Sequence, residues 1–127
     1  MTSRTFIHAS LVLLLLLTAA VPLRAANEVP TEKARIESLI AHIESLKDVT
    51  FVRNGGTANA ATAAKFLRGK WQANAKDIKT AADFIAKAAS VSSTTGKPYL
   101  IRFKDGSVTP CATYLTTQLK KLESAGN

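Results

Sequence analysis

The sequence is poor in the residues that most often carry chemistry. Its 127 residues hold one cysteine, Cys111, and two histidines, His8 and His42. A lone cysteine excludes an internal disulfide, so the fold must come from packing. No Cys, Asp or His stands at ligand spacing beside His42, which leaves it without the partners of a metal site. Only one long hydrophobic run occurs, at the N-terminus, and no second one follows that could hold the chain in a membrane. A nucleotide-binding loop is missing too. Thr95-Gly96-Lys97 has the ending of one, but Val91 stands where an earlier glycine is needed and Pro98 where a hydroxyl must follow the lysine. No cofactor is expected, and neither an internal repeat nor a domain linker is visible.

What is present begins with a processing signal. Arg4 and His8 precede an apolar run from Leu11 to Leu17 that continues through small residues to Val21, too short to span a bilayer comfortably. Cleavage after Ala25 leaves Leu23 and Ala25 at the two recognition positions, whereas cleavage after Ala26 puts Arg24 at one of them. No cysteine lies near the cut to take a lipid. Residues 1–25 are therefore read as a signal peptide and 26–127 as a single mature globular domain, long enough for a modest core. Without Arg4 and Arg24, 15 basic residues face 9 acidic ones, a net +6. That balance favours anionic surroundings, which outside the cytoplasm means envelope polymers, lipid head groups or acidic proteins rather than nucleic acid.

The fold class expected is α+β: about four helices packed around a short antiparallel hairpin or small sheet. Thr31 caps a first helix with Ile36, Leu39, Ile40, Ile43 and Leu46 on one face. Val49–Arg53 reads as a strand stopped by Asn54-Gly55-Gly56, after which Thr57 caps an alanine-rich helix. Ala60, Ala63, Ala64, Leu67, Trp71, Ala75 and Ile78 share one arc of that helix, with Phe66 outside it, either on a second packed face, the favoured reading, or as an exposed aromatic contact residue. Thr80 and Asp83 form a capping box for a third helix running to about Ser90, with Phe84, Ile85, Ala88 and Ala89 buried. The stretch from Gly96 to Gly106 is the clearest strand, entered through Pro98 and closed by an Asp105-Gly106 turn, with Ser107-Val108 returning beside it. Thr109 and Pro110 then open the last helix, which carries Tyr114, Leu115, Leu119 and Leu122 on one side.

Three places have the makings of a site. Cys111 falls in the first turn of the last helix, where free amides lower a thiol pKa, but its spacing to Leu115 and Leu119 puts it on the buried side. With His42, a boundary residue of the first helix, it is the best available catalytic pair; Asp83 is an isolated carboxylate. Arg53-Asn54-Gly55-Gly56-Thr57 joins a cation, a turn and a helix start, which together suit an anion, and Gly96-Lys97 offers a second loop contact. Along the second helix, Lys65, Arg68, Gln72, Lys76 and Lys79 follow at spacings of three and four, giving a ridge for an anionic partner in which only Asp77 interrupts the charge.

Phe51-Val52-Arg53-Asn54-Gly55, the helix with Phe66-Leu67-Arg68 and Lys70, and Gly96-Lys97-Pro98-Tyr99-Leu100-Ile101-Arg102 with Asp105-Gly106 give the chain a likeness from about Ile36 to Leu122. In these motifs it resembles the YfeK-like proteins, a domain of unknown function among small exported bacterial proteins. The resemblance implies a periplasmic location. It also implies that the position of Phe66, commonly histidine in that family, needs no histidine here, and that Tyr114 fills a position taken by a large aromatic. It carries over no activity, cofactor or catalytic residue. The function expected is a non-catalytic periplasmic module binding an anionic envelope component or protein. The alternative is a periplasmic inhibitor or immunity-type protein, and a small envelope enzyme comes third.

Overall fold

Thr31 begins the order in a computed structural model that describes residues 29–126. The expected leader, residues 1–25, and its cut lie outside the described residues. The Thr31 hydroxyl accepts the Ala34 amide at 3.1 Å and so caps α1, Glu32–Ser45. Ile36, Leu39, Ile40 and Ile43 are buried along its expected face. The other elements are β1 (Thr50–Arg53), β2 (Gly56–Ala58), α2 (Ala60–Ala73), α3 (Ala81–Ala88), β3 (Leu100–Arg102), β4 (Val108–Pro110) and α4 (Cys111–Ala125). The strands form one antiparallel sheet in the order β2-β1-β3-β4. Among the described residues the architecture is a small α+β domain, four helices and a four-stranded sheet. Phe51 and Ile101, opposite each other on β1 and β3, are buried, and with Phe84, Leu115 and the α1 face they make the core.

Two boundaries differ from the sequence reading. Thr57 does not cap α2. Asn54 (φ 51°) and Gly55 (φ 78°) form a two-residue turn with both central residues left-handed, so the chain doubles back as β2. Asn59, accepting the Thr62 amide at 2.9 Å, caps the helix instead. The second helix also stops early, at Ala73. The side-chain amide of Asn74 donates to the Lys70 carbonyl at 2.8 Å, and the Asn74 backbone N–H reaches the Lys70 and Trp71 carbonyls, which turns the chain out of the helix. Ala75 is consequently exposed, and Ile78 reaches the core from the connection to α3 rather than from a helical arc.

The third and fourth helices follow with one adjustment. Thr80 and Asp83 make the expected capping box. α3 ends at Ala88, and its first amide, Ala81, donates to the Glu32 carboxylate of α1 at 2.8 Å. Asp105 closes the last turn by accepting the Ser107 amide at 2.8 Å. Thr109 and Pro110 are not a cap and first turn but the last two residues of β4, which runs without a break into α4 at Cys111. Among the described residues no helix is long and apolar enough to cross a membrane.

Candidate functional site

The register of the β1–β2 hairpin shapes a cleft. Phe51 faces Ala58 and Arg53 faces Gly56 across the strands, so these four point to the helix-covered side of the sheet. Two of the four are the smallest residues available, and α2 brings Ala63 opposite them. A gap of about 330 Å³ remains between hairpin and helix, lined mainly by Phe51, Gly56, Ala58, Ala63, Phe66 and Leu67. A Cβ at Gly56 would meet only the Arg53 carbonyl oxygen, at 3.4 Å, so the space there is open.

Charge gathers at one wall. Phe66 and Tyr99 meet edge to face with centroids 5.7 Å apart. The Arg53 guanidinium lies 4.3 Å from the Phe66 centroid, and Lys70 Nζ donates to the Tyr99 hydroxyl at 2.9 Å. Neither cation belongs to any of the ion pairs among the described residues. An apolar gap with cations on one side and no carboxylate in its lining suits an anion with an apolar body. Phe66, expected on a second packed face, is half-buried and forms this wall.

The two loops expected to make contacts are joined. Asn54 Nδ2 donates to Ser92 Oγ at 3.0 Å, and the Thr95 hydroxyl donates back to Asn54 Oδ1. Ser92 is buried, its amide donates to the Lys97 carbonyl at 2.9 Å, and its carbonyl accepts the Gly96 amide at 2.8 Å. Gly96 holds a left-handed turn there (φ 69°). Asn54, Gly96 and Lys97 therefore share one exposed tip, while Arg53 turns away from it over Phe66.

The cationic ridge is divided. Lys65, Arg68 and Gln72 lie on α2, but Arg68 pairs with Glu37 of α1 at 3.3 Å. Lys76 and Lys79 lie beyond the helix end, so the five do not form one continuous helical face.

Cys111 and His42 are not hydrogen-bonded to one another. His42 Nε2 instead meets the Tyr114 hydroxyl at 2.7 Å. Burial pushes the Cys111 thiol up to about 12, against the lowering a helix start would give. Burial first, and Lys121 second, lower the His42 pKa, so it favours the neutral ring. Asp83 is held low chiefly by the Lys79 amide and then that of Thr80, which ties it to the cap of α3. Among the described residues no group of three or more His, Cys, Asp or Glu is placed to hold a metal.

The grouping of Phe66, Tyr99, Lys70 and Gly56 was missed from the sequence, although Asn54-Gly55, a strong hairpin signal, was in view. Reading it as a hairpin would have placed Gly56 and Ala58 opposite Arg53 and Phe51.

No solved structure matches the chain. It is 46% identical over 74 residues to "Uncharacterized protein YfeK" of Salmonella typhimurium (strain LT2), a match spanning 58% of this chain and 62% of that relative. A family model described as "Family of unknown function (DUF5329)" matches residues 30–123, so from α1 into the last turn of α4 the chain belongs to that family.

Proposed function

We propose that this protein is a non-catalytic periplasmic binding module, exported by removal of residues 1–25, whose cleft between the β1–β2 hairpin and α2 takes an anionic ligand with an apolar body. One observation carries the reading: Arg53 lies over Phe66 at the cleft wall with no carboxylate partner among the described residues. Arg53 is exposed but stacks on an aromatic face at the rim of an apolar gap, a place that suits a ligand bringing both a negative group and something to bury.

The test is titration of 1-anilinonaphthalene-8-sulfonate, an apolar-bodied anion, followed by fluorescence. Saturable binding by the wild-type protein should weaken at least tenfold in Arg53→Glu. It should remain within a factor of two in the triple variant Lys65→Glu, Arg68→Glu, Lys76→Glu, with both circular dichroism spectra native. Equal binding by Arg53→Glu overturns the cleft, and loss only in the triple variant moves the site to the divided ridge.

The inhibitor or immunity-type reading is favoured by the tip in which Asn54 is bonded to Ser92 and Thr95. It requires that the protein lower the activity of an envelope hydrolase and that Lys97→Glu relieve the effect. Unchanged turnover of a panel of such hydrolases removes it.

A further inference from the structure

Backbone groups in an antiparallel ladder alternate, residue by residue, between facing the partner strand and facing away. In the two-residue hairpin, Arg53 and Gly56 close the turn as a bonded pair, and so do Phe51 and Ala58 one step later. Thr57, between them, directs its N–H and C=O outward. Since β2 ends the sheet, these two groups meet no strand among the described residues. Thr57 is exposed, and the cleft opens directly beside it on the helix side of the sheet.

We propose that an extended peptide adds to β2 as a fifth, antiparallel strand, with its C-terminal carboxylate at Arg53 and its last side chain, an apolar one, in the cleft. The proposal rests on the cleft being a binding site and names what fills it. Strand direction fixes the arrangement. An antiparallel strand beside Gly56–Ala58 runs toward the Asn54-Gly55 turn, so its C-terminus arrives level with Arg53, which stands one strand further in and reaches it over Gly56, where no side chain intervenes. The penultimate residue of the peptide then exchanges both hydrogen bonds with Thr57. Its last residue lies opposite Gly56 and its third-last opposite Ala58, and both direct their side chains to the cleft side. The absence of side chain at Gly56 leaves room for the last one, and the Arg53 guanidinium, in no ion pair among the described residues, supplies the charge complement for the carboxylate.

The experiment is a selection from a library of random heptapeptides displayed with free C-termini, followed by synthesis of an enriched sequence. Wild-type protein should enrich apolar residues at the last position, and Arg53→Glu should not. The synthetic peptide should lose at least tenfold in affinity as its C-terminal amide, and at least tenfold when the penultimate backbone nitrogen is methylated. Thr57→Pro removes the outward N–H while leaving the bonded pairs on either side intact, because an outward edge position tolerates proline. It should lose the peptide at least tenfold. No enrichment, or equal binding by the methylated peptide, overturns the added strand. The methylated peptide gives that answer even if Thr57→Pro does not fold. If the fluorescent anion still binds in an Arg53-dependent way, only the peptide is lost; if it does not, the cleft itself is not a binding site.

Discussion

At the β4 edge of the sheet, Pro110 stands where backbone groups face away from the ladder, whereas at the β2 edge Thr57 stands in the equivalent place. The alternation is anchored on the β4 side by the Cys111 amide, which donates to the Tyr99 carbonyl at 2.8 Å, so Leu100 and Pro110 one step earlier are not a bonded pair. Proline has no N–H to offer there, and β4 passes at once into α4. Thr57 offers both donor and acceptor and has an apolar gap beside it. Open strand edges invite unwanted pairing, and one of these two is blunted by the means proteins commonly use. The β2 side is thus the open one, receptive beside its cleft, and the β4 side is closed only where the last helix begins, since Val108, two residues before Pro110, also faces outward and is exposed.

The contrast breaks most completely at Phe51, which pairs with Ala58 on the open side and with Ile101 on the closed side. Phe51→Ala should cost about 3 kcal/mol, toward the low end for buried aromatics because the cleft already borders it. Urea unfolding should show the loss and an unchanged urea dependence. Gly55→Ala acts on the open edge alone. It forces a Cβ into a left-handed position and should cost about 1 kcal/mol, with amide exchange quickening in β1 and β2 but not in β3 and β4.

A smaller effect belongs to the closed side, where His42 meets Tyr114 and Tyr114 packs on Phe103 at 5.8 Å between centroids. The folded-state His42 pKa is depressed, so the unfolded chain takes up the proton first. Stability is then fully present above the ordinary imidazole value of about 6.5 and declines as pH falls through the folded value. Urea midpoints measured from pH 8 to pH 5 should fall in the wild type and fall less in His42→Gln. Parallel profiles would show that His42 is not the group responsible. Least costly of all is Pro110→Thr, which should change stability by no more than about 0.5 kcal/mol because threonine also caps helices. If Pro110 is what blunts its edge, sedimentation of this variant should show self-association that the wild type lacks at the same concentration.

Much of the fold was legible because it rests on local chemistry. The Thr31 cap, the Thr80–Asp83 capping box, the α1 stripe and the Asp105-Gly106 turn each declare themselves within a few residues of chain. The errors arose where two local readings competed. Thr57 is a good cap and a good strand residue, and the Asn54-Gly55 turn decided between them by returning the chain along β1. Alanine favours helix through residue 75, yet the Asn74 side chain donates to the Lys70 carbonyl and ends α2 two residues sooner. The cleft was the least legible part. It is made by what Gly56 and Ala58 lack, and by Tyr99 arriving beside Phe66 from 33 residues further along the chain, a proximity no spacing rule reports.

Cys111 gives the molecule a chemical record of its own unfolding. Sealed at the start of α4 with its proton held up to about 12, the thiol offers almost no thiolate for oxidants or disulfide exchange while the domain is folded. Once the chain opens, the same sulfur regains an ordinary acidity and is the sole site through which two chains can cross-link. In oxidising surroundings each excursion thus carries a chance of becoming permanent, so the lifetime of the protein there is governed by how often α4 comes away rather than by how well it refolds.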